Sequence, residues 1–185
     1  VISYSGTLGV ANHLEYLLQV AQACAGLNVK LLILGRGSEA DKLKRIQEEM
    51  SLTNLTFIPH ADKEVVRGVL NVSDAVYISF IDIKSLHTGS PNKLFDGLAA
   101  GKLIITNFGG WIKTLLATND AGFSYDPRIT TAFTEKLLLF ITNKEILKSF
   151  QKNSRQLAEN SFYLEILSEK QYLFLQESCR KTKEC

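Results

Sequence analysis

The sequence has few cysteines and no long apolar run, and both absences limit what the protein can be. Its three cysteines, Cys24, Cys179 and Cys185, are odd in number and lack C-x-x-C spacing. A disulfide framework is therefore not expected, and a reducing cytoplasm fits best. No apolar stretch reaches the roughly 18 residues of a membrane span, and no secretion leader is visible. We expect a cytoplasmic protein without a transmembrane segment, or one peripheral to the inner face of the cell membrane.

Neither positive nor negative residues are in large excess. The formal net charge is +2, too small to indicate a nucleic-acid partner or an anionic membrane. The 185 residues, 45% hydrophobic and 22% charged, suit a single globular domain over residues 1–185. The chain begins at Val1, without Met and inside an apolar run. We expect that a further segment precedes it, or that it was excised from a longer protein.

Short β-branched runs alternate with longer amphipathic ones, which predicts an α/β fold. The predicted strands are 1–4, 29–34, 55–58, 75–80, 103–106 and 122–125. The predicted helices between them are 12–25, 38–50, 62–71, 91–100 and 111–117, and a helical tail follows at 131–142, 144–159 and 162–179. Nearly all-apolar strands are typical of parallel sheets covered on both faces. We therefore predict a doubly wound, mostly parallel six-stranded sheet with helices on both faces.

Three glycine-containing loops follow predicted strands, at 5–12, 35–40 and 107–111. In an open parallel sheet, ligands bind at the carboxyl ends of the strands, and a helix start there offers free N–H groups to an anion. Ser38 is a candidate N-cap, and Arg36 is a candidate cation facing the cleft. Each loop is also compatible with a plain turn, and the residues alone leave both interpretations open.

The loop before the fourth helix is more informative. Ser90 suits an N-cap, Pro91 the first helical position and Gly101 the C-terminal cap. Lys93 falls in the first turn, where the helix dipole disfavours a cation, so a bound phosphate would explain it. Asp96 follows one turn later. An exposed Lys93–Asp96 pair, worth a few tenths of a kcal/mol, remains the alternative.

Other chemistries fit less well. Residues 35–40 match the dinucleotide fingerprint, but the next strand ends at 57–60 without the acid that holds the ribose. A signalling receiver domain needs acids after its first and third strands, and none is present. The three histidines, His13, His60 and His87, lack metal-ligand spacing. No D-x-D cluster occurs, residues 82–84 coming nearest, so no metal site is predicted.

Three segments together resemble a known family: 4–9 (YSGTLG), 31–37 (LLILGRG) and, most specifically, 90–102 (SPNKLFDGLAAGK). They are similar to the carboxyl-terminal, donor-binding domain of retaining glycosyltransferases of family 4, which have the two-domain GT-B fold. The last segment looks like that family's S-P-x-K block. The branch with this block often serves bacterial surface-polysaccharide synthesis.

The resemblance implies a nucleotide-sugar site, with a UDP-sugar preferred and GDP possible. Lys93, the backbone of Asn92 and Leu94, and the Gly9 loop would meet the diphosphate, Asp96 the ribose, and 59–60 the base. The implied donor-binding set is Gly9, Arg36, His60, Thr88, Ser90, Asn92, Lys93, Leu94 and Asp96. Thr88 replaces an acid that commonly grips the sugar in the family. The cations usual after the first strand are missing, which leaves Lys93, with Arg36, to supply positive charge.

The implied function is transfer of a hexosyl or N-acetylhexosaminyl group from a nucleotide diphosphate to a polysaccharide or lipid-linked acceptor. Lys93 would stabilise the leaving diphosphate, and no cofactor is required. The acceptor-binding amino-terminal domain is absent, so the isolated chain is expected to be inactive. Residues from about 160 to 185 would cross back onto that domain. A nucleotide-sugar epimerase half and a non-catalytic nucleotide-sugar-binding module remain alternatives.

Overall fold

The computed structural model describes residues 1–183, and Cys185 lies outside them. Its six strands form one parallel sheet in the order β3-β2-β1-β4-β5-β6. The strands are β1 (Ile2–Thr7), β2 (Leu31–Arg36), β3 (Leu55–Ile58), β4 (Ala75–Ile78), β5 (Leu103–Thr106) and β6 (Gly122–Ser124). The predicted doubly wound sheet is confirmed. Its strand order reverses between β1 and β4, which defines the switch point.

Eight α-helices connect the strands or follow them in the described part of the chain. They are α1 (Glu15–Ala23), α2 (Ala40–Glu49), α3 (Lys63–Val72), α4 (Asn92–Ala99), α5 (Trp111–Thr118), α6 (Thr130–Thr142), α7 (Lys144–Ser161) and α8 (Leu164–Lys183). Short 3-10 turns occupy Val10–Asn12 and Lys84–Thr88. None of the helices among the described residues is long and apolar enough to span a membrane.

Two apolar cores lie on opposite faces of the sheet because successive strand side chains point to opposite sides. In β4, Tyr77 packs in one core and Val76 and Ile78 in the other. Helices α1 and α6 contribute to the first core, and α4 and α5 to the second. Cys24, at the end of α1, is a buried free thiol in the first core.

Strands β1 and β2 run further than the sequence predicts, so two glycines expected in loops lie in the sheet. Gly6 of β1 is paired with Gly35 of β2. Gly35 has φ +155°, and a Cβ there would come within 1.9 Å of the Gly6 carbonyl oxygen. The two backbones therefore pack closely just where the cleft begins, and this contact requires glycine at position 35.

Several predicted helix starts are wrong by one or more residues. The helix predicted at 12–25 is interrupted by His13, which adopts the left-handed conformation with φ 43°, so α1 begins only at Glu15. The cap before α2 is Glu39 rather than Ser38. The cap before α4 is Pro91 rather than Ser90, because Pro91 keeps an extended ψ of 132°. Gly101, with φ +61°, does occupy the left-handed position after α4.

The carboxyl-terminal helices behave differently from one another. Helix α7 packs on α4 and the sheet, where Ser154 donates a hydrogen bond to the Ala121 carbonyl at 2.9 Å and Leu157 is buried. Helix α8 leaves its apolar side chains in solvent: Leu164, Leu167, Tyr172, Leu173, Phe174 and Leu175 are 43–73% exposed.

Candidate functional site

A cleft of about 740 Å³ opens at the carboxyl ends of the strands, at the switch point. Ligands of doubly wound proteins bind at this position. The cleft is lined from β1 by Ser5, Gly6 and Thr7, from β2 by Gly35, from the segment after β3 by His60, from α3 by Lys63 and Arg67, and from the start of α4 by Asn92, Lys93 and Asp96. Segments that are distant in sequence therefore meet around one space.

Lys93 lies deepest among the charged groups of the cleft. Its ammonium group donates a hydrogen bond to the Tyr4 hydroxyl at 3.0 Å and stands 4.2 Å from the centroid of the Tyr4 ring. A Cβ at Gly6 would approach the Lys93 Nζ to 3.2 Å, so the side chain lies along the glycine backbone. Helix α4 and strand β1 thus hold the ammonium group at the switch point.

No carboxylate neutralises Lys93 among the described residues, because none of their ion pairs includes it. Burial lowers the pKa of Lys93 to about 8. The exposed Lys93–Asp96 ion pair considered from the sequence therefore does not form. A cation that is half-buried without a counter-ion is costly, and an anionic ligand in the cleft would offset this cost.

Asp96 faces a different cation across the cleft. Burial raises the pKa of Asp96, and the positive charge of Lys63 on α3 opposes that rise. Lys63 and Arg67 are four residues apart and so project from the same face of α3, and both line the cleft. The cleft therefore has one acidic group and three cationic groups, with Asp96 and Lys63 nearer its rim than Lys93.

The first turn of α4 also presents backbone donors. The amides of Asn92 and Lys93 make no hydrogen bond within the part of the chain that the structure describes. The Leu94 amide, in contrast, donates to the Pro91 carbonyl at 3.0 Å, and the Leu94 side chain is fully buried in the core. Two free amides and one ammonium group thus converge at this helix start, an arrangement that suits an anion.

The model of the family Glycosyl transferases group 1 matches residues 1–157 of this chain. The chain belongs to this family. A search of curated proteins finds no match.

Solved structures share the fold. The C-terminal domain of a group 1 glycosyl transferase from Francisella tularensis aligns with a TM-score of 0.73 and 14% identity over 88% of this chain and 86% of its own. The HepE protein of Anabaena, solved with UDP, gives 0.77 and 14% over 96% and 48%. Sucrose-phosphate synthase of Thermosynechococcus elongatus gives 0.78 and 17% over 97% and 45%. This chain therefore spans about half the length of the last two.

The cleft lining includes four of the nine residues expected to bind a donor from the family resemblance. His60, Asn92, Lys93 and Asp96 line the cleft, and the Leu94 backbone lies beside it, although its amide is already hydrogen-bonded. Gly9, Arg36, Thr88 and Ser90 lie outside the cleft lining, and the last three are exposed. The Thr88 hydroxyl donates to the Ser85 carbonyl at 2.9 Å, within the 3-10 turn.

The glycine loop before α5 braces the neighbouring loop rather than lining the cleft. The Asn107 side chain accepts from the Phe80 amide and donates to the Phe80 carbonyl, both at 3.0 Å. The Trp111 indole donates to the Gly89 carbonyl at 2.9 Å. These bonds fix both ends of the segment between β4 and α4, so they position the start of α4 indirectly.

The sequence patterns did not identify three residues in or beneath the cleft. Lys63 and Arg67 line it, and Tyr4 lies beneath it in contact with Lys93. The spacing of Lys63 and Arg67 on a helix that follows a strand end was available as a signal, because i and i+4 share a face. Tyr4 carried no such signal, since its contact with Lys93 joins residues 89 positions apart. Among the side chains that the structure describes, no three from His, Cys, Asp or Glu are placed to hold a metal ion.

Proposed function

We propose that this domain binds a nucleotide sugar by its diphosphate, as the donor half of a retaining family 4 glycosyltransferase. The observation that supports this most strongly is Lys93, a half-buried cation that lacks an acidic partner among the described residues and faces a cleft at the switch point. The free amides of Asn92 and Lys93 add hydrogen-bond donors that, like the ammonium group, favour an anion. UDP is the preferred nucleotide, since HepE, which shares the fold, was solved with UDP.

In this proposal each part of the cleft has a role. Lys93 and the start of α4 hold the diphosphate, Asp96 accepts hydrogen bonds from the ribose hydroxyls, and His60 lies against the base. Lys63 and Arg67 supply the positive charge that the sequence had led us to assign to Arg36.

The chemistry follows from where charge develops. As the bond between the anomeric carbon and the diphosphate oxygen breaks, negative charge grows on the departing β-phosphate. Lys93 is already in place to stabilise that charge, and such preorganised donors contribute strongly to catalysis. Because the pKa of Lys93 is about 8, the side chain is mostly charged at neutral pH and can fulfil this role.

The whole protein, in our proposal, transfers a hexosyl or N-acetylhexosaminyl group to a polysaccharide or lipid-linked acceptor, in bacterial surface-polysaccharide synthesis. It would act in the cytoplasm or at the inner face of the membrane. The acceptor would bind on an amino-terminal domain outside this chain, consistent with the double length of HepE and sucrose-phosphate synthase. The exposed apolar side chains of α8 would pack on that domain.

The binding proposal can be tested by titrating the chain with UDP, UMP and uridine in a calorimeter. We expect UDP to bind more tightly than UMP. Lys93→Ala should weaken UDP binding by about 1.5–3 kcal/mol, since it removes a charge-assisted contact. The matched control is Lys42→Ala, because Lys42 is a lysine outside the cleft lining that pairs with Glu15 and Glu39. Equal UDP affinity for wild type and Lys93→Ala would refute the role of Lys93.

The division of labour between two domains needs a separate assay. We expect the isolated chain to transfer no sugar from UDP-sugars to lipid-linked acceptors, whereas the full-length protein does. Sustained transfer by the isolated chain would mean that both substrates bind here, and the two-domain proposal would be wrong.

A further inference from the structure

Tyr4 is a fully buried tyrosine directly beneath the cleft. Its hydroxyl donates a hydrogen bond to the Thr7 carbonyl at 2.7 Å and accepts one from the Lys93 ammonium at 3.0 Å. Burial raises the pKa of Tyr4, so the hydroxyl stays protonated and its proton remains directed at Thr7. The remaining lone pair then points toward Lys93.

The Tyr4 ring supports the same ammonium group in a second way. The Lys93 Nζ lies 4.2 Å from the ring centroid, within the range of a cation–π contact, which strengthens when the site is desolvated. An ammonium group has three donors. The Tyr4 hydroxyl takes one of them from below, which leaves two for oxygens of a ligand in the cleft.

We infer that Tyr4 is a positioning residue, which holds the Lys93 ammonium group charged and aimed at the diphosphate through its hydroxyl and its ring. This inference rests on the proposed diphosphate role of Lys93. The hydroxyl is hydrogen-bonded both to Lys93 and to the Thr7 carbonyl. One side chain therefore fixes the position of the ammonium group and of the β1 end of the cleft.

The test is UDP and uridine binding by Tyr4→Phe, Lys93→Met and the double variant, measured by calorimetry from pH 6.5 to 9.5. Tyr4→Phe keeps the ring and removes the hydrogen bond, so UDP affinity at pH 7 should fall about threefold to tenfold. The pH at which affinity starts to decline should move down by about half a unit to one unit, because the charged ammonium has lost an acceptor. Uridine affinity should not change.

The double variant separates positioning from general disruption. If Tyr4 acts through Lys93, then Tyr4→Phe causes no further loss of UDP affinity in the Lys93→Met background. This comparison holds even if Tyr4→Phe lowers stability. The other titratable or charged groups lining the cleft are His60, Lys63, Arg67 and Asp96, and their effect on the pH profile remains in both backgrounds.

The possible failures are distinguishable. If Lys93→Met binds UDP as wild type does, the proposed function loses its central residue and Tyr4 loses its role with it. If Lys93→Met weakens UDP binding but Tyr4→Phe leaves both the affinity and the pH profile unchanged, only the role of Tyr4 is overturned. An equal loss of uridine and UDP affinity in Tyr4→Phe would also overturn it, because that would indicate a distorted loop.

Discussion

Two lysines of this protein occupy opposite environments. Lys42, on the surface formed by α1 and α2, has an exposed side chain and ion pairs with Glu15 at 2.5 Å and Glu39 at 2.8 Å. Its hydrogen bonds to these two carboxylates raise its pKa. Lys93, at the cleft, is largely buried, has only Tyr4 as a hydrogen-bond partner among the described residues, and has a pKa lowered by burial to about 8.

In our proposal, this difference separates a structural cation, Lys42, from a ligand-binding one, Lys93. Lys42 meets its counter-ions within the fold, so its charge is already compensated and adds little at an exposed position. Lys93 has no counter-ion among the described residues, and in our proposal the diphosphate compensates its charge. Groups kept in unfavourable environments are frequent at functional sites, where stability is given up for binding. Four measurements test this contrast between the two lysines.

The largest expected effect is on the stability of the ligand-free protein. Lys93→Met removes a half-buried charge that has no counter-ion among the described residues, so we expect the free energy of unfolding at pH 7 to rise by up to about 3 kcal/mol. The folded pKa of about 8 lies below the unfolded value of about 10.4. The penalty is therefore fully present below pH 8 and disappears as pH rises toward 10.4. Chemical denaturation at pH 7 and pH 10 measures both limits.

Lys42→Met is the control for this experiment, and its sign should be opposite. The raised pKa of Lys42 means that its ion pairs stabilise the fold below pH 10 and are lost above that. We expect the substitution to lower the unfolding free energy slightly or leave it unchanged. If Lys93→Met destabilised the protein like Lys42→Met, the contrast between the two lysines would be wrong.

The next effect is on the pH dependence of UDP binding. A phosphate beside Lys93 favours the charged ammonium, so the pKa of Lys93 should rise when UDP binds. Affinity should then be constant just below pH 8 and decline above it by nearly tenfold per pH unit. Calorimetry at several pH values between 7 and 10 tests this. Lys42→Met should follow the same profile, and a flat wild-type profile up to pH 10 would contradict the prediction.

A smaller effect should distinguish the rim of the cleft from its depth. Asp96 faces Lys63 rather than Lys93. Asp96→Asn should weaken UDP and uridine binding alike, by about fivefold to tenfold, and leave the decline above pH 8 in place. Titrations with both ligands measure this. Loss of UDP affinity alone would mean that Asp96 acts on the diphosphate and that its role was transferred wrongly from the family.

The smallest effect concerns the turn before α4. Thr88 is exposed and lies outside the cleft lining. Thr88→Glu introduces the acid that the family commonly has at this position. It should leave UDP affinity unchanged, because the new carboxylate lies outside the cleft lining and does not contact Lys93. It should strengthen UDP-sugar binding about twofold to threefold if it reaches the sugar hydroxyls. A loss of thermal stability with unchanged UDP-sugar binding would show that this loop runs elsewhere in the complex.

The sequence alone was enough to predict the layers of the fold. Alternating apolar strands and amphipathic helices imply a parallel sheet with two covered faces, and the predicted strands 55–58 and 103–106 agree with the structure at both ends. Gly101 was recognisable because it ends a helix in the left-handed conformation. Lys93 was recognisable because its position in a first turn opposes the helix dipole. All these signals are local, and residues a few positions apart determine them.

The groups that contact or surround Lys93 are determined by the tertiary packing and not by the local sequence. Its partner Tyr4 lies on strand β1, 89 positions away in the sequence. The other cations of the cleft come from α3 rather than from the loop around Arg36. Strand β2 runs on through Gly35 to Arg36, so the predicted loop cation is exposed outside the cleft. Side-chain neighbours across a sheet depend on strand order and register, and no local pattern encodes these. The local sequence therefore places a cation at this helix start, and packing leaves that cation half-buried without a counter-ion among the described residues.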